Sequence, residues 1–276
     1  MSTATITDPA AAQRAANRKN AKAGRSVIFR IKRCDGPGKA SRWEEFKVPI
    51  PAGANVISCL QYIAANPTTV QGQKSTPVVW DSGCLEEVCG ACTMVINGRA
   101  RQACSTMVNG PHGIAKSGET ITIEPMTKFP RVRDLVVDRS KMFEALKRVK
   151  AWIQIDGSHE LGAGPKVAPK DQEIMYPLSR CMTCGCCVES CPNYNDHSPF
   201  IGPFAISLVR MYNMHPSGKM HAGERLDSIM SEGGIADCGK AQNCVEVCPK
   251  EIPLIDSLAE VSRETTKRLL FGWLLR

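Results

Sequence analysis

Cysteine is the residue whose number and spacing could do chemistry in this chain. Cys84, Cys89 and Cys92 follow one another at C-x4-C-x2-C, and Cys104 stands twelve residues further on. Four thiolates so spaced suit two irons in a plant-type 2Fe-2S site. A loop can turn three nearby sulfurs toward one point, and a hairpin can return the fourth. Gly83 and Gly90 have no side chains, so backbone N–H groups can approach those sulfurs. Zinc sites usually pair C-x2-C with a second close pair, whereas Cys104 is isolated, which disfavours zinc or a pair of disulfides here.

A second run, Cys181-Met-Thr-Cys184-Gly-Cys186-Cys187-Val-Glu-Ser-Cys191-Pro192, contains C-x2-C-x2-C-x3-C-P. In the bacterial ferredoxin pattern the fourth cysteine of such a run serves the other cluster. A third run, Cys238-Gly-Lys-Ala241-Gln-Asn-Cys244-Val-Glu-Val-Cys248-Pro249, repeats it with Ala241 in the second cysteine's place. Crossed connectivity then assigns Cys181, Cys184, Cys187 and Cys248 to one centre and Cys191, Cys238 and Cys244 to another. Four thiolates fit 4Fe-4S and three fit 3Fe-4S; the alternative for the second is 4Fe-4S with water or hydroxide on its fourth iron. Regular x2 spacing favours Cys187 over its neighbour Cys186. Cys34 and Cys59 read as buried or half-buried thiols that behave as small hydrophobes. No histidine lies within two residues after any cysteine, so a Rieske centre or Cys-His finger has no local support.

The chain has neither a strand-helix G-x-G-x-x-G nor G-x4-GK[ST]. Iron-sulfur centres without a flavin or nicotinamide site of their own describe an electron conduit, and two-electron chemistry then falls to a partner.

The elements that must hold these cysteines come in two styles. Residues 26–32 alternate apolar and polar, and 45–50 follow a Gly-Pro-Gly turn at 36–38, which predicts a hairpin. Val56, Leu60, Ile63 and Ala64 recur at helical spacing until Asn66-Pro67. The 94–96 stretch followed by Asn97-Gly98 predicts a second hairpin, and 120–124 a closing strand. From Phe143 the spacing turns helical (Phe143, Leu146, Val149, Ile153), and it is helical again over 205–212, 226–230 and 255–275. Residues 157–169, with three Gly and two Pro, read as a connector. These patterns predict an α+β fold: residues 25–126 as a 2Fe-2S domain and 127–276 as a helical 4Fe-4S/3Fe-4S domain. The last helix has an apolar face of Leu258, Val261, Leu269, Phe271 and Trp273, for which core packing is favoured over contact with another subunit.

The 276 residues include 14 cysteines, and 43% are hydrophobic and 22% charged, which leaves no room for wholesale disorder. The net charge of +8 is unevenly placed. Residues 1–33 hold eight basic side chains against Asp8 alone, leaving 27 basic and 26 acidic over the rest. So neutral a body argues against nucleic acid as a partner. Residues 1–24 read as a disordered basic arm, or as an organellar transit peptide. No apolar stretch approaches the roughly 20 residues that span a bilayer.

The order of a C-x4-C-G-x-C site, a C-x2-C-x2-C-x3-C-P run and a C-x5-C-x3-C-P run resembles the iron-sulfur subunit of succinate dehydrogenase and fumarate reductase. The resemblance covers about residues 25–260 and extends to Phe129-Pro-Arg-Val-Arg-Asp-Leu-Val-Val-Asp138, Phe200-Ile-Gly-Pro203 and Asn213-Met-His-Pro216. It implies a β-grasp, plant-type ferredoxin-like domain followed by an all-α domain of the bacterial two-cluster ferredoxin type. It also implies a FAD-containing dicarboxylate-oxidising partner, a membrane anchor of the kind that can carry haem b, and electrons passing through 2Fe-2S, 4Fe-4S and 3Fe-4S to quinone.

The ubiquinone-linked branch has a tryptophan pair after the first Cys-Pro and a histidine after the first cysteine of the last run. Here the chain reads Pro192-Asn-Tyr-Asn-Asp-His197 and Cys238-Gly239, which resembles the menaquinone-linked type. Pro192 and His197 stand as candidates for quinone contact. The resemblance places the chain at the cytoplasmic face of a bacterial cell membrane, or, were the arm a transit peptide, at the matrix side of the mitochondrial inner membrane; both are reducing surroundings for thiolates. A fumarate reductase running in reverse and a soluble iron-sulfur carrier are the alternative functions.

Overall fold

Strand β1 (Ser26–Arg33) alternates as its sequence demands: Val27, Phe29, Ile31 and Arg33 point inward and are buried. It pairs antiparallel with β2 (Arg42–Pro49), setting Phe29 opposite Phe46 and Val27 opposite Val48. A computed structural model describes residues 25–115, 119–153 and 165–272. The expected basic arm over 1–24, most of the 157–169 connector and Trp273 lie outside the described residues.

Helix α1 (Val56–Ala65) starts at a capping box in which Asn55 Oδ1 accepts the Ser58 N–H at 2.8 Å and Ser58 Oγ accepts the Asn55 N–H at 3.1 Å. It stops at Asn66, before Pro67. Strands β3 (Thr93–Ile96) and β4 (Arg99–Gln102) form the second hairpin. Asn97 and Gly98 both have positive φ there, 48° and 74°, as a two-residue turn of this hand requires. Strand β5 (Thr120–Glu124) runs parallel to β1 and antiparallel to β3, closing a five-stranded mixed sheet of order β2-β1-β5-β3-β4. Val56, Leu60 and Ile63 of α1 join the inward residues of the sheet in one apolar core.

Packing changes hands between residues 126 and 137. Strands β6 (Arg131–Arg133) and β7 (Val136–Val137) pair with each other. Leu135 joins the first core, while Met126, Phe129 and Val137 join the second. That second core is helical: α2 (Ser140–Arg148), α3 (Pro169–Ser179), α4 (Cys186–Glu189), α5 (Pro203–Met214), α6 (Ala222–Met230), α7 (Asn243–Glu246) and α8 (Leu254–Phe271). Helix α5 is its centre, buried from Pro203 through Val209 and packed on α8.

Four helices depart from the sequence reading. Helix α3 went unassigned because Pro169 and Pro177 both lie in it and only Met175 and Leu178 are buried; tertiary packing overrides its poor propensity. The single-turn helices α4 and α7 are too short to show periodicity. Helix α8 buries Leu254, Leu258, Val261 and Thr265, yet Leu269 is 72% and Phe271 52% exposed. Core packing therefore accounts for the start of its apolar face and not for its last turn, which runs past the body it packs on.

Candidate iron-sulfur centres

The loop before β3 is shaped by three residues at positive φ: Leu85 (61°), Glu87 (56°) and Gly90 (71°). For Leu and Glu this backbone costs about 1–3 kcal/mol each, and its effect is to turn amides toward sulfur. The N–H groups of Glu86, Val88 and Cys89 donate to Cys84 Sγ at 3.4, 3.3 and 3.3 Å. Those of Cys84 and Ala91 donate to Cys89 Sγ at 3.4 and 3.5 Å. The backbone donors bring the Cys84 thiol down to about 7. A Cβ on Gly83 would stand 3.1 Å from Cys89 Sγ, so the expected close approach is present.

Cys92, at the edge of β3, and Cys104, just past β4, are buried side by side. Burial, then the neighbouring Cys104, pushes the Cys92 thiol up to about 12. Cys104 is held from behind by the α1 cap, since Asn55 Nδ2 donates to its carbonyl at 3.0 Å. The loop thus sets Cys84 beside Cys89, and the β3–β4 hairpin that follows it sets Cys92 beside Cys104.

The two C-terminal runs build two adjacent cavities. One is lined by Cys181, Cys184, Cys187 and Cys248 with Phe204, Ile252 and Leu254. The other is lined by Cys191, Cys238 and Cys244 with Pro192, Phe200 and Ala241. Each cavity takes a cysteine from the other run. Two reciprocal amide bonds hold the runs together: Asn243 Nδ2 to the Ser190 carbonyl at 3.1 Å and Asn193 Nδ2 to the Asp237 carbonyl at 3.0 Å.

The charges agree with this division. Cys181 feels Cys184 and Cys248, and its thiol is pushed up to about 11, mainly by burial. Cys244 feels Cys191 and Cys238 and is likewise raised to about 11, burial first. Cys187, fully desolvated, is raised further and feels members of both sets.

Backbone shape repeats where the chemistry does not. Thr183 and Gly185, flanking Cys184, have φ of 51° and 93°; Lys240 and Gln242, flanking Ala241, have φ of 54° and 65°. Ala241 thus sits in a frame built for a ligand and offers no sulfur. Cys186 shares the first cavity beside Cys184: its nearness lowers the Cys184 thiol to about 7, while Cys186 itself is driven far up by that neighbour and by burial. Across the domain boundary Gln102 Nε2 reaches Cys186 Sγ at 3.7 Å, and Cys92 Sγ reaches Gln102 Oε1 at 3.4 Å. Cys34 and Cys59 are both buried: Cys59 lies in the first core and is raised to about 12 by burial, and the Cys34 thiol donates to the Gly36 carbonyl at 3.0 Å.

Pro192 lines the three-cysteine cavity; His197 is exposed and lines neither cavity. Sequence reading missed Tyr194, wholly buried beside Cys187 with no partner for its hydroxyl. Only its place three residues after Cys191 hinted at a role. It also missed Arg139, which lies far from every cysteine in sequence.

All fourteen cysteines are free thiols. Among the described residues no three His, Cys, Asp or Glu side chains converge closely enough for one metal ion. Sets made of thiolates alone, spaced C-x4-C-x2-C and C-x2-C-x2-C-x3-C, are the donors iron-sulfur clusters take.

A family model described as a 2Fe-2S iron-sulfur cluster binding domain matches residues 28–144, and one described as a 4Fe-4S dicluster domain matches 177–252. The chain is 51% identical over 241 residues to the succinate dehydrogenase iron-sulfur subunit of Bacillus subtilis, covering 87% of this chain and 93% of that one. It is 29% identical over 230 residues to the fumarate reductase iron-sulfur subunit of Escherichia coli O157:H7, covering 83% and 88%. Among solved structures, a chain of the Mycobacterium smegmatis Sdh1 complex in the apo form shares the fold with a TM-score of 0.72 at 24% identity, over 88% of this chain and 97% of that one.

Proposed function

The chain belongs to the family of succinate dehydrogenase iron-sulfur subunits, and on that premise we propose how its own residues carry electrons between a flavoprotein partner and membrane quinone. It is an electron-transfer subunit of an oxidoreductase complex, far closer to the succinate dehydrogenase relative than to the fumarate reductase relatives. The observation that carries the reading is the crossed pair of cavities, each completed by a cysteine from the other run.

When bound, the clusters supply one-electron transfer, which neither succinate chemistry nor any side chain here provides. Cys84, Cys89, Cys92 and Cys104 hold 2Fe-2S. Cys181, Cys184, Cys187 and Cys248 hold 4Fe-4S. Cys191, Cys238 and Cys244 hold 3Fe-4S, because Ala241 supplies no fourth thiolate. The amides aimed at Cys84 and Cys89 stabilise added negative charge at the first centre. Phe204, Ile252 and Leu254 keep water from the second.

Pro192, at the rim of the third cavity, is the better candidate for contact with menaquinone, and exposed His197 the weaker. No helix among the described residues is long and apolar enough to cross a membrane. Attachment is assigned to an anchor subunit of the kind that can carry haem b, at the cytoplasmic face of a bacterial membrane. The exposed Leu269, Leu270 and Phe271 suit contact with that anchor.

Purification of the complex tests this. A flavoprotein and an anchor should accompany the chain, three distinct paramagnetic resonance signals should appear, and succinate should reduce quinone faster than quinol reduces fumarate. The opposite ratio would establish fumarate reduction as the working direction; fewer than three signals would overturn the ligand sets.

A further inference from the structure

Arg139 stands immediately before α2, far in sequence from every cysteine, yet its guanidinium lies between two cysteine loops. Nη2 donates to the Ala91 carbonyl at 2.6 Å, and Nη1 donates to the Gly90 carbonyl at 2.7 Å and reaches the Cys184 carbonyl at 3.5 Å. Gly90 and Ala91 join Cys89 to Cys92; Cys184 belongs to the four-cysteine cavity. Among the described residues Arg139 makes no ion pair within 4.0 Å. Its hydrogen bonds go to carbonyls instead. Asp81 and the sulfurs of Cys184, Cys186 and Cys92 act on it through space, and its hydrogen bonds go to the loops of the first two cysteine sets.

A half-buried guanidinium stays charged, and its planar fork suits two successive carbonyls as a lysine ammonium does not. A fixed positive charge stabilises a neighbour that gains an electron, more strongly where water is scarce. Charge and hydrogen bonding near a cluster are the levers a protein has on its potential.

We propose that Arg139 is a positioning residue shared by the first two centres: it clamps the Gly90–Ala91 loop to the Cys184 loop, and its charge favours the reduced form of both while leaving the third unaffected. The inference rests on the ligand sets proposed above. It gives the first step of the chain of centres a common setting, because one cation raises both potentials and so changes their difference little.

The test is a redox titration of the intact complex followed by paramagnetic resonance, read separately for each centre in the natural chain, Arg139→Gln and Arg139→Lys. Gln keeps a donor and loses the charge. It should shift the reduction equilibria of the 2Fe-2S and 4Fe-4S centres about tenfold toward the oxidised form, about 59 mV for a one-electron couple, with the 3Fe-4S centre unmoved. Lys should recover most of the shift. Unshifted first and second centres in Gln, or an equal shift of all three, would overturn the proposal. Should Gln fail to assemble, Lys decides: potentials within a small fraction of the natural ones support the charge role, and a full tenfold shift with the charge kept refutes it. Absence of three signals in the natural chain would instead remove the ligand assignment, and this inference with it.

Discussion

Gly90 meets Cys184 so closely that a Cβ on Gly90 would stand 2.7 Å from the Cys184 Cα. The loop of the first cysteine set and the loop of the second are in backbone contact across the domain boundary. Gly90 also has φ of +71°, so an L side chain is disfavoured twice over. Gly90→Ala should push the loops apart. Iron content and the 2Fe-2S and 4Fe-4S signals should fall together, with the third signal retained; undiminished signals from both would show that this contact does not matter.

Arg33 and Asp134 are both 0% exposed and joined by two bonds, Nε to Oδ1 at 2.9 Å and Nη2 to Oδ2 at 3.1 Å. Asp134 also accepts the N–H groups of Cys34 and Val79, both at 3.0 Å. Asp134→Asn removes one of two carboxylates from the buried Arg33, Glu44 Oε2 remaining 2.7 Å from Nη1. The cost should exceed about 1 kcal/mol but stay below the roughly 3–5 kcal/mol of a wholly unpaired buried charge. The urea midpoint should drop accordingly while cluster potentials hold. A change below about 1 kcal/mol would show the site to be hydrated.

Tyr194 has a buried hydroxyl without a partner, with Lys141 Nζ 4.5 Å above its ring and the Phe129 ring at 5.9 Å. An unpaired buried hydroxyl costs about 1–3 kcal/mol. Tyr194→Phe should therefore leave the metal-free chain as stable or more so. In the loaded complex it should lower the 4Fe-4S potential alone, by deleting a donor near Cys187. A stability loss without the potential shift would show that the hydroxyl serves packing.

Ala241 lies in the same backbone frame as Cys184. The oxidised natural complex should show a 3Fe-4S signal that vanishes on reduction. Ala241→Cys supplies the missing thiolate, so that oxidised signal should be lost, the centre's potential should fall and quinone reduction should slow. Persistence of the signal in Ala241→Cys would mean that the cavity cannot admit a fourth iron.

Leu269 and Phe271 are exposed on the last turn of α8. Changing both to Gln should leave the denaturation midpoint within about 0.5 kcal/mol, as is usual for surface sites, and should reduce the anchor recovered with the chain. Full recovery would assign the apolar turn to something else.

The cluster chemistry was legible from spacing because it is local: sulfurs three to five residues apart can reach few arrangements, and each run repeats its own geometry. The Asn97-Gly98 turn and the Asn66-Pro67 helix stop were legible for the same reason, each resting on the φ preferences of adjacent residues, whereas the Asn55 cap was found only in the structure. Helix α3 was not, since Pro169 and Pro177 hide a segment that only its neighbours make helical. Nor could neighbours along the chain reveal that Arg33, last inward residue of β1, meets Asp134 a hundred residues away. The same holds for Gly90 against Cys184, Arg139 between two loops and Tyr194 beside Cys187. These are contacts between segments folded independently of one another, set by how two cores pack across residues 126–137. The order of cysteines states what is carried. The packing of the two domains sets how close the centres lie, and which charges and dipoles surround them.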